Sequence, residues 1–181
     1  MKTKEYFKQL VNAVQSAPTQ SIDNAVKLIH EAIVNGRTIF VCGNGGSAQT
    51  ASHFVTDWAK MRWVNKQKKF KAYCLSDNIG MLSAYSNDLS YIDVFSEPLR
   101  NYAESGDLLI VVSGSGNSEN VVRALEVSKQ IGMYSIGLCG YSGGQVKELS
   151  DIAVHFPVND MQIVEDLHLS FGHIVMKQLC E

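Results

Sequence analysis

Two short loops decide most of what this chain can be. Gly43-Asn44-Gly45-Gly46-Ser47 follows the apolar run Thr38-Ile39-Phe40-Val41-Cys42, and Ser113-Gly114-Ser115-Gly116-Asn117-Ser118 follows Leu108-Leu109-Ile110-Val111-Val112. Neither run alternates polar with apolar residues, which is the pattern of a parallel strand covered on both faces. A helical pattern comes after each loop, from about residue 48 to 61 and from about 119 to 131. Open parallel sheets hold their ligands in such strand-to-helix turns, beyond the carboxyl ends of the strands.

The rest of the chain fits the same plan. Tyr6, Phe7, Leu10, Val11 and Val14 form an apolar stripe at helical spacing. Pro18-Thr19-Gln20-Ser21 interrupts it, a second helix carries Ile22, Ala25, Val26, Leu28, Ile29, Ala32 and Ile33, and Asn35-Gly36 ends that helix. Further strands are expected at 70–75, 134–138 and 152–156, with a loop at 140–144 and a long last helix from about Asp160 to Cys180. This alternation predicts an α/β fold of three layers, a mainly parallel sheet with helices on both faces. No linker, repeat or low-complexity tract interrupts it. The expectation is one domain over 1–181, with helices in 1–35 and the α/β core and last helix in 36–181.

Composition narrows the partners. The net charge is −2, which argues against a broad nucleic-acid or anionic-membrane surface. The one basic run, Lys66-Gln67-Lys68-Lys69 with Lys71, is short and reads as a solvated loop. No apolar run approaches the roughly 20 residues that span a bilayer, and the first residues do not read as a secretory signal. The four cysteines, Cys42, Cys74, Cys139 and Cys180, form no CxxC pair. Free, mostly buried thiols in a reducing cytosol are expected, and with them a cytoplasmic protein.

In both loops, glycine removes the Cβ that would keep a ligand away, the following helix offers unpaired N–H groups, and serine hydroxyls supply rotatable donors. Such a set suits a phosphate held without lysine or arginine. Neither loop is GxxxxGK[ST], and neither gives GxGxxG with an acidic residue about 20 positions on, so nucleotide fingerprints are missing. The plainer alternative is two tight turns whose serines cap helices. Two such loops in one chain, each in the same context, favour phosphate.

At this point the motifs resemble a known family. GNGGSA, then Ser52-His53-Phe54, Ser76-Asp77, Ser86-Asn87-Asp88 and SGSGNSENV are similar, in order and spacing, to the sugar isomerase (SIS) family. The similarity runs over nearly the whole chain. It implies a flavodoxin-like sheet and a homotetramer with sites between subunits. It also implies isomerisation of a ketose phosphate, in this subgroup sedoheptulose 7-phosphate, feeding activated-heptose synthesis. By the same resemblance Ser47, Ser113, Ser115 and Ser118 would hold the phosphate, Asn44, Gly45, Gly46 and Gly114 would belong to the same substrate- and phosphate-binding set, and Asp88 would touch sugar hydroxyls. Asn44 could instead serve turn geometry alone, and Asp88 could be an exposed cap.

An aldose–ketose isomerase needs a base at carbon, an acid near oxygen, and something to steady an enediolate. His53 and Asp57 lie at i and i+4, on one helix face. The family places His and Glu there, so the resemblance makes Asp57 the base, shorter by a methylene and retracted by about 1.5 Å. It makes His173 the acid. Counting back from His173 puts Glu165 where the family has glutamine and Gln162 where it has an acid, as if amide and acid were exchanged. Gln162 is accordingly a candidate substrate contact. His53, Asp57, Glu165 and His173 form a candidate set for a divalent metal, zinc first. Glu165 and His173 are eight residues apart, about 12 Å along an ideal helix, so one ion would need different subunits or an irregular helix. Glu165 with His168 at i and i+3 is a competing pair. His30 and His155 read as structural, and packing accounts for Trp58 and Trp63. A module without catalysis that binds a sugar phosphate or a protein partner, and an isomerase of another sugar phosphate, stay open.

Overall fold

The computed structural model describes residues 2–64 and 69–180. The basic stretch Lys66, Gln67 and Lys68 lies outside the described residues. Eight helices and five strands follow one another among those described: α1 (Thr3–Gln15), α2 (Thr19–Val34), β1 (Thr38–Gly43), α3 (Gly46–Val64), β2 (Lys71–Cys74), α4 (Ile79–Asp88), α5 (Ser96–Tyr102), β3 (Leu108–Ser113), α6 (Glu119–Ile131), β4 (Tyr134–Cys139), α7 (Gly144–Leu149), β5 (Ile152–His155) and α8 (Met161–Leu179). A 3-10 turn, Tyr91–Asp93, sits between α4 and α5.

All strand pairs are parallel, in the order β2-β1-β3-β4-β5. This is the doubly wound, flavodoxin-like order. The unbroken apolar runs are explained by the two cores. Ile39, Val41, Ile110, Val112 and Leu138 point to one face, where Ile29, Phe54, Trp58, Leu167 and Phe171 of α2, α3 and α8 cover them. Phe40, Cys42, Leu109, Val111 and Cys139 point to the other, beneath Leu99, Val121, Leu125 and Val146 of α5, α6 and α7. Every position of β3 is buried, so no polar alternation could appear in it.

The order reverses between β1 and β3, whose ends are paired in register from Ile39 and Leu108 to Gly43 and Val112. The two glycine-rich loops therefore emerge side by side although about 70 residues separate them. Adjacent strands in a sheet stand roughly 5 Å apart.

Three sequence expectations change. Residues 76–107 carried no element, but they hold α4, the 3-10 turn and α5. α4 buries none of its residues and starts from a local cap, the Asn78 side chain accepting from Met81 N at 3.0 Å, so no apolar stripe marked it. The 140–144 loop runs into α7. Trp58 is in the core but Trp63 is 85% exposed, so packing within the chain does not account for it. The two are five residues apart, which turns the second about 140° round the helix.

All four cysteines are buried, and none is in a disulfide. Burial pushes the Cys74 thiol up to about 12 and the Cys139 thiol up to about 11, and raises Cys42 further. Thiolate is the reactive form. A thiol reagent at pH 7.5 should leave the native protein unlabelled over minutes and label all four cysteines after denaturation; prompt native labelling of Cys42 or Cys139 would contradict this burial. No described helix is long and apolar enough to cross a membrane.

Candidate active site

The first loop turns on Gly45, whose φ is +53°. Ala48 N and Gln49 N bond back to Gly45 O at 3.1 and 3.3 Å, so α3 starts directly beneath the loop. The second turns on Gly116, φ +69°, with Gly116 N bonding Ser113 O at 3.1 Å. A third loop braces it: Gly140 N bonds Gly114 O at 2.8 Å and Val146 N bonds Gly116 O at 3.0 Å. Ser76 hydroxyl, after β2, donates to Gly43 O at 2.9 Å.

Between the loops lies a cavity of about 160 Å³ lined by Asn44, Ser47, Ser113, Gly114, Ser115 and Ser118, with Met161 and Glu165 from α8. The serines are not consumed as caps. Ser118 stands at the N-cap of α6 without a side-chain capping bond. Ser113 and Ser115 hydroxyls accept from Gly116 N and Asn117 N, both at 3.2 Å, which leaves their O–H protons free to donate. Ser47 is buried at the first turn of α3. Gly45 and Gly46 are exposed beside it, and a Cβ on Gly46 would come within 2.7 Å of Glu165 Oε1.

Asn44 ties the loops together. Its Nδ2 donates to Asn120 Oδ1 at 2.8 Å, and its Oδ1 accepts from Asn120 Nδ2 and from the Tyr91 hydroxyl, both at 2.9 Å. Sequence reasoning passed over both partners. Asn120 stood inside a quoted motif without any signal of its own, and Tyr91 lay in the segment to which no element was given.

A second cluster forms where α3 meets α8. His53 Nε2 and His173 Nε2 are 3.2 Å apart, and Asp57 Oδ2 is 3.9 Å from His53 Nε2. One ligand atom from each of the three lies within 4.8 Å of the others. Asp57 Oδ1 meets Lys60 Nζ at 3.3 Å, so its two oxygens divide between the imidazoles and a cation. Core packing sets this register. The Phe54 ring lies against Gly172, and Trp58 Nε1 donates to Gly172 O at 2.9 Å. Phe54 is next to His53 and Gly172 is next to His173, so one aromatic–glycine contact places the two histidines opposite each other. Two imidazoles and a carboxylate converging on one point are a donor set suited to zinc or a similar divalent cation.

Not every expected residue joins. α8 is one continuous helix from Met161 to Leu179, which holds Glu165 at the serine cavity and away from His173. Within one chain the fourth expected ligand is therefore absent from the His53–Asp57–His173 cluster. His168 is fully buried beside the Phe156 ring and the Cys139 backbone. That burial pushes its pKa down to about 4, so it makes no surface pair with Glu165. Gln162 is exposed in the first turn of α8, where its backbone N bonds the capping Asp160 carboxylate at 3.1 Å. Asp88 is exposed at the end of α4 and accepts from Asn87 Nδ2 at 2.8 Å. Neither lines the serine cavity. His155 bonds Tyr141 O at 2.9 Å.

Comparison with known proteins points one way. The sequence pattern of the SIS domain matches residues 4–140. A phosphoheptose isomerase of Aliarcobacter butzleri is 37% identical over 156 residues, 86% of this chain and 82% of the relative. One from Helicobacter pylori is 36% identical over 172 residues, 95% of this chain and 87% of the relative. Among solved structures, that of a phosphoheptose isomerase from Neisseria gonorrhoeae superposes with a TM-score of 0.89 at 28% identity, covering 96% of this chain and 94% of the other.

Proposed function

The chain belongs to the SIS domain family, and from that premise we propose that it is an aldose–ketose isomerase acting on sedoheptulose 7-phosphate. Relatives named phosphoheptose isomerase support the substrate. The observation that carries the chemistry is the His53–Asp57–His173 cluster between α8 and α3, the helix that starts in the serine cavity. A phosphate-binding module without catalysis has no use for it.

Helix α3 separates the two tasks. Ser47 and His53 are six residues apart, about 9 Å along the axis. From the carbonyl carbon of a seven-carbon sugar to a phosphorus on its far end is seven bonds, roughly 9 Å when extended, at about 1.5 Å per bond before projection. The phosphate would be held by the Ser47, Ser113, Ser115 and Ser118 hydroxyls, with Gly45, Gly46 and Gly114 giving it room. Glu165 would accept from a sugar hydroxyl, and Asp88 and Gln162 would act from nearby segments or a neighbouring subunit.

The reaction moves one proton between carbons. Asp57 takes a proton from C1 of the ketose, the C1–C2 double bond of the enediolate forms, and His173 gives a proton to the C2 oxygen. Asp57 then returns its proton to C2 while His173, now deprotonated, takes the proton from the C1 oxygen, which yields the aldose and restores both groups. His53, Asp57 and His173 would hold a divalent metal, zinc by their chemistry, with Glu165 of a neighbouring chain completing the set. When bound, such a cation polarises adjacent oxygens.

The whole span 1–181 would work as one unit, and as a homotetramer in the cytoplasm. Phe7, Val11 and Val14 support association, since they lie exposed at i, i+4 and i+7 on α1.

The test is direct. Metal-free and zinc-loaded protein with sedoheptulose 7-phosphate should give heptose 7-phosphate signals by NMR. Zinc should also raise the Tm of metal-free protein, and His53→Ala should remove that rise. Bound sugar phosphate with no turnover under either condition would sink the isomerase assignment.

A further inference from the structure

Asn44 lines the serine cavity, and its side-chain amide is almost fully committed elsewhere. An amide oxygen has two acceptor sites and the nitrogen two hydrogens. Both acceptor sites of Asn44 Oδ1 are taken, by Asn120 Nδ2 and the Tyr91 hydroxyl, while Nδ2 spends one hydrogen on Asn120 Oδ1. One N–H is left.

We propose that Asn120 and Tyr91 are positioning residues that fix Asn44 as an N–H donor to an oxygen of the bound sugar phosphate. This rests on the isomerase reading of the same cavity. The reciprocal amide pair alone would be equally good with both amides turned over, and would then offer an acceptor. Tyr91 breaks that symmetry, because a phenol is a better donor than acceptor and its hydroxyl meets the oxygen side of Asn44. An anionic phosphate or an enediolate oxygen requires a donor, and a carbonyl turned toward it would repel it. Asn120 is 3% exposed at the start of α6, so its amide is held by packing. Tyr91 comes from the 3-10 turn that the α4 segment leads into. Three separate stretches of chain thus agree on the orientation of one amide.

The experiment measures Kd, KM and kcat for sedoheptulose 7-phosphate, and Kd for inorganic phosphate, with Tm as the folding control. Asn120→Asp keeps the shape of the side chain but sets a carboxylate oxygen against Asn44 Oδ1. It should weaken sugar-phosphate binding about tenfold or more, the cost of misplacing a hydrogen bond to a charged group. Tyr91→Phe removes one of two bonds and should cost about threefold. In an Asn44→Ala background Asn120→Asp should add nothing, since its effect passes through Asn44. A matching loss for inorganic phosphate identifies a phosphate oxygen as the acceptor, and a loss confined to the sugar phosphate identifies a sugar oxygen. An unchanged Kd in Asn120→Asp, or the same tenfold loss in the Asn44→Ala background, overturns the proposal. If the parent protein binds inorganic phosphate but not the heptulose, the heptose assignment fails and the phosphate titration alone decides this one. If it binds neither, both fall.

Discussion

Replacing His173 with alanine, or Asp57 with asparagine, should cut the turnover of sedoheptulose 7-phosphate by about a thousandfold while leaving sugar-phosphate affinity within a few-fold. A positioned acid or base contributes roughly 10²–10⁴ in rate, and these two side chains are the ones that the cluster sets closest to His53. Affinity should survive because the serine cavity is built from other residues. Stability should survive as well. His173 is exposed and Asp57 only partly buried, so neither change opens a core cavity, and the Tm should move by less than about 3 °C. The double variant should be little slower than either single one, as expected of groups acting as a unit. Turnover that persists within tenfold in both single variants would remove this pair from the chemistry.

The second large effect is on the frame of the cavity. Gly116→Ala should destabilise the protein by about 3 kcal/mol and lower the Tm by roughly 6–12 °C. Gly116 has φ +69°, and a Cβ there would collide with the Gly143 carbonyl and crowd Gly144 N. Those atoms belong to the start of α7, which cannot yield easily. Gln145 N bonds Asn117 Oδ1 at 3.1 Å and Val146 N bonds Gly116 O at 3.0 Å, so any shift breaks contacts that brace the second loop. Ser113, Ser115 and Ser118 would move with it, and phosphate affinity should fall as well. Gly45→Ala is the control. Its φ is +53° but nothing lies within 4 Å of the added carbon, so only the backbone term of about 1 kcal/mol applies. Equal Tm losses in the two variants would mean that the brace contributes nothing.

These residues also show how far the sequence could be read. Val41, Val111 and their neighbours announced buried parallel strands because both sheet faces are covered, and the shortness of the runs, their β-branched residues and the glycines after them decide against a buried helix. The position of the loops could be read because a glycine-rich break between an apolar run and a helical pattern marks a strand-to-helix turn. The segment 76–107 could not, because α4 has no buried face and hydrophobic periodicity is the main signal of a helix. Tyr91 was lost with it. The His53–His173 approach depends on Phe54 lying against Gly172, a contact across more than a hundred residues that no local pattern encodes. Glu165 lies on α8 as expected, and the estimate of about 12 Å already separated it from His173. The continuous helix keeps that separation within one chain.

The distance in sequence between His53 and His173, 120 positions, has a consequence for how the protein is made. A growing chain that has completed β1, α3 and even the whole sheet still lacks His173 on α8, the acid in the mechanism proposed above. Contacts this remote form late, after the entropy of closing a long loop has been met. If His173 acts as proposed, turnover should appear only when α8 docks against Phe54 and Trp58, and a chain clipped before His173 should be silent rather than partly active. An activity assay during refolding would consequently report the docking of one helix, and would lag behind any signal from the sheet.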